Sequence, residues 1–266
     1  MSRGFTLVEV LIALTLTGIV VAGTLQALSA QKKFYARQAR ILDARHAMRA
    51  STTILSSELR EVSAASGDLY SVSRDSVAFR STVGFGVICR VSASTGSLAL
   101  TQVSGHLRLE LADSLLVFVE RTQQDGDDSW RALAVSGIST GGGGCAERGS
   151  SERVLTVSGD LSGIWVGAPA RLFRAYVFKL FEMDGRWWLG RRKRGSSLDY
   201  VPVAGPLAPP GSSGLRLTYF RGDGAATVNP TQVVRVSIDV RAPTNRTLSD
   251  PDYRLLSTSV YLRNND

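Results

Sequence analysis

Histidine and cysteine are scarce in this chain, two of each in 266 residues. A structural zinc site normally takes four ligands, so Cys89 and Cys145 cannot build one alone, and a mixed site would need both His46 and His106 to join them. One disulfide, Cys89 to Cys145, is the simpler account, on condition that this part of the chain lies in an oxidising compartment. Catalytic signatures are missing too: there is no HExxH, no P-loop, no dinucleotide fingerprint and no Ser, His and Asp arrangement. His46 falls within an expected helix and His106 stands alone before a polar strand, so neither an enzyme nor a cofactor is expected. Asp125, Asp127 and Asp128 in QQDGDDSW resemble part of a calcium loop, but the terminal glutamate and the full ligand series are lacking. An acidic turn is the plainer reading.

What is present describes a folded chain, with 44% hydrophobic and 20% charged residues. The formal net charge of +8 invites a nucleic-acid reading, because clustered cations neutralise phosphates. The basic residues are spread along the chain, however, and only Arg191, Arg192, Lys193 and Arg194 form a tight run. Trp187 and Trp188 beside that run could stack on bases. A hairpin with one tryptophan in the core and the cations in solvent explains the same residues, so a nucleic-acid partner is not expected.

The longest uncharged stretch lies at the N-terminus. Val10 to Leu25 carries no charge, and Phe5 to Leu28 is interrupted only by Glu9, Gln26 and threonines. A bilayer-spanning helix takes about 20 apolar residues, whereas the apolar core of a cleaved secretory signal runs to about 7–15 and ends at a small-residue site. The stretch therefore reads as an anchor. Glu9 is its anomaly, since a carboxylate at the centre of a membrane helix costs about 2.5–3.5 kcal/mol on insertion scales. Either it sits shallow enough to reach the headgroups or it has a partner.

Gly4, Phe5, Thr6, Leu7, Val8 and Glu9, followed by this apolar run, resemble the class III signal of type IV prepilins and pseudopilins. The resemblance covers the first 25 or so residues, and it implies a leader of residues 1–4 that a prepilin peptidase removes after Gly4. It further implies an N-methylated Phe5 and a Glu9 that pairs with the Phe5 amine of a neighbouring subunit. A buried pair of that kind is weak evidence of stability but a credible register device. One pattern runs the other way: Lys32, Lys33, Arg37 and Arg40 follow the apolar run and only Arg3 precedes it, which read literally keeps the C-terminal part inside. The resemblance implies the opposite, a single-pass inner-membrane protein with an exported body.

No proline or glycine interrupts Thr24 to Ser66, so the membrane helix can continue into the soluble part, about 90 Å from Phe5 to Ala65. Arg45, Met48, Thr52, Leu55, Leu59 and Val62 recur at helical spacing, with Glu58, Arg60 and Glu61 outside the stripe, and this face is expected to pack on the following domain. Gly18 and Gly23 offer bending or close helix approach. Major pilins often carry a proline at the position of Gln26, and this chain does not.

Beyond Gly67 the pattern turns to short strands. They are expected at Val77–Arg80, Gly86–Val91, Leu115–Arg121, Arg131–Val135, Arg171–Phe181, Trp187–Arg191, Leu215–Phe220, Val233–Arg241 and Ser257–Leu262. Asp184 and Gly185 supply the turn of the clearest hairpin. Two glycine-rich tracts, Gly141 to Gly144 and Gly205 to Gly214, read as surface insertions. The expected fold is α+β and pilin-like: a leader (1–4), a transmembrane half-helix (5–28), its amphipathic continuation (29–66) and a strand-rich exported domain (67–266) packed on it as an antiparallel sheet.

Near the C-terminus, LRLTYFRGDGAATVNPTQVVRVSIDVRAP is similar to the ending of J-type pseudopilins and W-type minor pilins. This resemblance implies a large minor subunit of a type IV pilus or type II secretion filament, active in filament initiation or at the tip. Its partners would be other pilin or pseudopilin subunits, the prepilin peptidase, the inner-membrane assembly platform and membrane lipid. A competence-type pilus subunit with a DNA-binding surface on the same anchor is the alternative.

Overall fold

The computed structural model describes residues 6–105, 114–120, 129–141, 144–145, 152–244 and 253–263. One helix, α1 (Leu7–Arg60), runs unbroken for 54 residues, about 80 Å at the α-helical rise. Everything in it up to Ala39 is exposed, and burial begins at Ala44. The stripe that meets the sheet is Ala44, Ala47, Met48, Ser51, Thr52, Leu55 and Leu59. Arg45, expected in that stripe, is exposed instead. Small residues carry the upper part of the contact because they let the helix backbone approach the sheet closely. Ser51 keeps its hydroxyl satisfied there by donating to the Ala47 carbonyl at 2.8 Å.

Beyond α1 the chain's strand pairings among the described residues are all antiparallel. Its strands are β1 (Leu69–Val72), β2 (Ser76–Ser92), β3 (Ser97–Gly105), β4 (Ser114–Val119), β5 (Ser129–Thr140), β6 (Arg153–Ser158), β7 (Pro169–Met183), β8 (Arg186–Lys193), β9 (Val201–Leu207), β10 (Leu215–Phe220), β11 (Arg235–Pro243) and β12 (Tyr253–Tyr261). The α+β arrangement expected from the sequence is the one present. All nine expected strands fall on these elements, although Val77–Arg80 and Gly86–Val91 are two parts of the single strand β2. Arg121, the expected end of β4, lies outside the described residues. The β7–β8 hairpin turns at Asp184 and Gly185, both with positive φ (52° and 68°), as a two-residue turn of this hand requires.

Two sheets form. One has the order β1-β2-β3-β6-β5-β4-β7-β8-β9 with a further β2–β7 pairing, and the other is β10-β11-β12. The β2–β7 pairing closes β2, β3, β6, β5, β4 and β7 into a ring, a small barrel. Its interior is filled by Ile88, Leu98, Leu100, Leu115, Val117, Leu133, Leu155 and Leu172 among others. A second core lies under α1, where Leu55 and Leu59 meet Phe79, Phe178, Leu189 and the apolar face of β10–β12. The long strands β2 and β7 thus serve both cores, one half each. Asp68 ties the helix end to β2, accepting from the Ser63 N–H at 3.1 Å and pairing with Arg80 at 3.3 Å. Burial pushes its carboxyl above the usual range, with Ser63 and Arg80 opposing that rise.

The tract from Gly205 to Gly214 is not the surface insertion its glycines and prolines suggest. Its first residues complete β9, an edge strand, where proline is tolerated. Its last residue packs so closely on the chain that a Cβ at Gly214 would overlap the Ala208 carbonyl oxygen. Ala208 and Gly214 are held by Arg241, which accepts from the Ala208 N–H at 2.8 Å and donates to the Gly214 carbonyl at 3.0 Å. Gly214→Ala is therefore expected to destabilise the domain by about 1–3 kcal/mol, as overpacking does. A thermal melt of the detergent-solubilised variant checks this, and an unchanged midpoint would contradict it.

Candidate functional site

The first turn of α1 is built from the residues Thr6 to Glu9. Thr6 is the N-cap, with φ −78° and ψ 149°, and its hydroxyl oxygen accepts from the Glu9 N–H at 3.3 Å. The Glu9 carboxylate in turn accepts from the Thr6 N–H at 3.0 Å and lies 3.0 Å from the Thr6 hydroxyl. This is a capping box, two otherwise orphaned donors satisfied reciprocally. The spacing Thr-x-x-Glu carries the signal in the sequence, where Glu9 reads as a costly charge and as half of an intersubunit pair and not as part of a cap. Gly4 and Phe5 lie outside the described residues.

From this cap the helix presents Leu7, Val8, Leu11, Ile12, Leu14 and Leu16, each more than half exposed, and continues so through Ile19, Val20 and Leu25. It is long and apolar enough to cross a membrane, and none of its most apolar 18-residue window is buried within the chain. Nothing within 4 Å occupies the space over Gly18 or Gly23. Burying a side chain such as leucine or isoleucine is worth about 1.5–3 kcal/mol, so this surface favours a cover that the described residues do not supply.

The basic run does not form one surface. Strand alternation sends Arg191 toward α1, where it lies 3.9 Å from Glu58 and 4.6 Å over the Tyr176 ring. Arg192 projects from the other face over Tyr200, and Arg194 stacks on Tyr70 at 4.3 Å. Trp187 packs against the helix-side core, and the Trp188 ring lies against Gly205. Lys193 is exposed. These rings are covered by the chain's own guanidinium groups, an arrangement that stabilises the hairpin.

Cys89 in β2 and Cys145 are bonded, with their Cα atoms 5.6 Å apart across a sequence separation of 56. The bridge pins the segment after β5 to the barrel wall. The Cys145 N–H donates to Glu152 at 3.3 Å. Asp125, Asp127, Asp128 and His106 lie outside the described residues. His46 is on the exposed side of α1.

Residues 1–25 match a known family, described as the prokaryotic N-terminal methylation motif. No curated protein and no solved structure matches the chain. The match coincides with the capped apolar helix, and the chain carries a type IV prepilin-like class III signal.

Proposed function

We propose that this chain is a minor pilin or pseudopilin, a non-catalytic subunit of a type IV pilus or type II secretion filament that acts in filament initiation or at the tip. The observation that carries the reading is the coincidence of the methylation motif with a helix whose apolar half is left unburied by the described residues. In this reading prepilin peptidase cuts after Gly4, Phe5 is N-methylated, and residues 5–28 hold the protein in the inner membrane until neighbouring subunits replace the lipid. Residues 67–266 are exported. Cleavage leaves a new amine one residue before Thr6, whose N–H Glu9 already holds, so the carboxylate stands ready at the start of the helix for a neighbour's amine. The barrel favours a tip or initiating position, because a repeating shaft would have to accommodate its bulk at every step.

The test is the company the chain keeps. Full-length protein captured from solubilised native membranes is expected to bring with it other chains that carry the same N-terminal motif. Recovery of the chain alone, from cells that assemble their filament, would contradict the proposal.

A further inference from the structure

An exposed edge strand offers a row of unpaired N–H and C=O groups, and natural proteins shorten, charge, proline-block or cover such edges. Among the described residues, three of the four edge strands, β1, β9 and β10, are managed in that way at least in part. β1 has 4 residues, and β9 carries Pro202 and Pro206. The free side of β10 is partly covered, with the Leu217 N–H donating to the Arg74 carbonyl at 2.7 Å and the Tyr219 carbonyl accepting from the Thr227 N–H at 2.9 Å.

β12 is the exception. It pairs with β11 over all 9 of its residues without a register shift. From Leu255 to Tyr261 it has no charge, proline or glycine. The Ala208–Arg241–Gly214 bonds show that Arg241 and its alternates in β11 point away from β12. Val236, Ile238, Val240 and Ala242 therefore pair with Val260, Thr258, Leu256 and Arg254. The backbone groups of Leu255, Ser257, Ser259 and Tyr261 are left on the open side, and among the described residues none of them has a hydrogen-bond partner.

The open side faces α1. Helix and strand run in the same direction: Arg45 and Arg49 lie beside Arg254, Ser56 and Arg60 beside Thr258, and the Arg263 N–H donates to the Val62 carbonyl at 2.9 Å, closing the end. Between them lie two stretches of groove, of about 180 and 270 Å³. One is walled by Met48 and Leu256 with the cations Arg45, Arg49 and Arg254, and the other by hydroxyls, among them Thr53, Ser57 and Thr258, with Arg60. All four arginines are exposed, no carboxylate lines either stretch, and no ion pair engages them among the described residues.

We infer that this groove receives an extended, acidic segment of a different protein, which adds a strand to β12 with α1 at its back. Main-chain bonds to Leu255, Ser257, Ser259 and Tyr261 would hold it, as in strand addition generally, and its carboxylates would meet the four arginines. A second copy of this chain is a poor occupant on two counts. It carries the same net charge of +8. Antiparallel pairing of two β12 edges would also turn the two parallel helices α1, and hence their membrane halves, in opposite directions. The inference stands on the edge and its charges and does not require the filament reading.

A photo-reactive residue in place of Ser257, in the full-length chain in its native membrane, tests it. The expected adduct joins Ser257 to another protein at an extended segment bearing Asp or Glu, mapped by peptide mass spectrometry. The adduct should be lost in the Arg49→Glu, Arg254→Glu double variant, whose changes are on the surface. It should also be lost in Ser259→Pro, which removes an outward N–H without touching the β11 ladder. An adduct to residues 245–252 of the same chain, an adduct to a second copy, one that survives both variants, or none at all would each overturn the inference. Loss of processing at Gly4 would bear on the filament reading and leave this result standing.

Discussion

Glu9→Val is expected to leave the chain in the membrane and cleaved at Gly4, yet to abolish its recovery with partner subunits. Insertion is unimpaired because removing a charge from an apolar run only eases it. Assembly fails because a neighbour's Phe5 amine, buried without its carboxylate, faces a penalty of about 3–5 kcal/mol. The capping box makes a sharper comparison available, since Glu9 also closes the first turn of α1 through the Thr6 N–H. Glutamine can serve the same cap without charge, so Glu9→Gln keeps the turn and loses the ion pair, and it should assemble better than valine but below wild type. Thr6→Ala does the reverse, removing about 1 kcal/mol of capping while keeping the carboxylate. It should assemble nearly as well as wild type. Cross-linked partner subunits co-purified from each variant, with immunoblots confirming equal processing and abundance, give the measurement. If Thr6→Ala fails as badly as Glu9→Val, Glu9 acts through the cap alone; if Glu9→Val joins its partners normally, it has no assembly role.

Removing the Cys89–Cys145 bridge is expected to have the largest effect on the stability of the domain. The bridge spans a sequence separation of 56, and closing a loop of that size is worth about 4 kcal/mol in the chain-entropy model. Cys145→Ser should lower the unfolding midpoint of the detergent-solubilised chain accordingly, and reductant should do the same to wild type. The bridge also reports topology, because disulfides persist in oxidising compartments. Non-reducing digestion of protein from the envelope should yield one peptide pair linked through Cys89 and Cys145. Free thiols at both positions would place the domain inside, where Lys32, Lys33, Arg37 and Arg40 taken literally would keep it.

Local pattern carried the helix and the hairpins well, and long-range closure poorly. The lower stripe of α1, Leu55 and Leu59, was legible because large apolar residues recur at helical spacing there and on to Val62 just past the helix end, while its upper part rests on Ala44, Ala47 and Ser51, too small and polar to stand out. The strands β1, β3, β6 and β9 escaped notice. In β3 Leu98 to Thr101 are all buried, so no alternation marks it, and in β9 two prolines mimic a loop. The barrel had no local signature at all, since it depends on β2 meeting β7 and β3 meeting β6 across distant parts of the chain. At the N-terminus the order was reversed. The motif and the apolar run were plain, whereas the second use of Glu9, as half of a cap, emerged from the hydrogen bonds. The basic run, adjacent in sequence, was dispersed by strand alternation onto opposite faces.

The mass of the intact protein shows whether cleavage after Gly4 brings the N-terminus to the edge of α1. Protein extracted from the membranes of a host that processes its own prepilins should begin at Phe5 and carry one added methyl group. Gly4 fits that outcome chemically, because it lets the backbone enter a protease cleft without a side chain. A chain that retains Met1 in such a host would contradict the account.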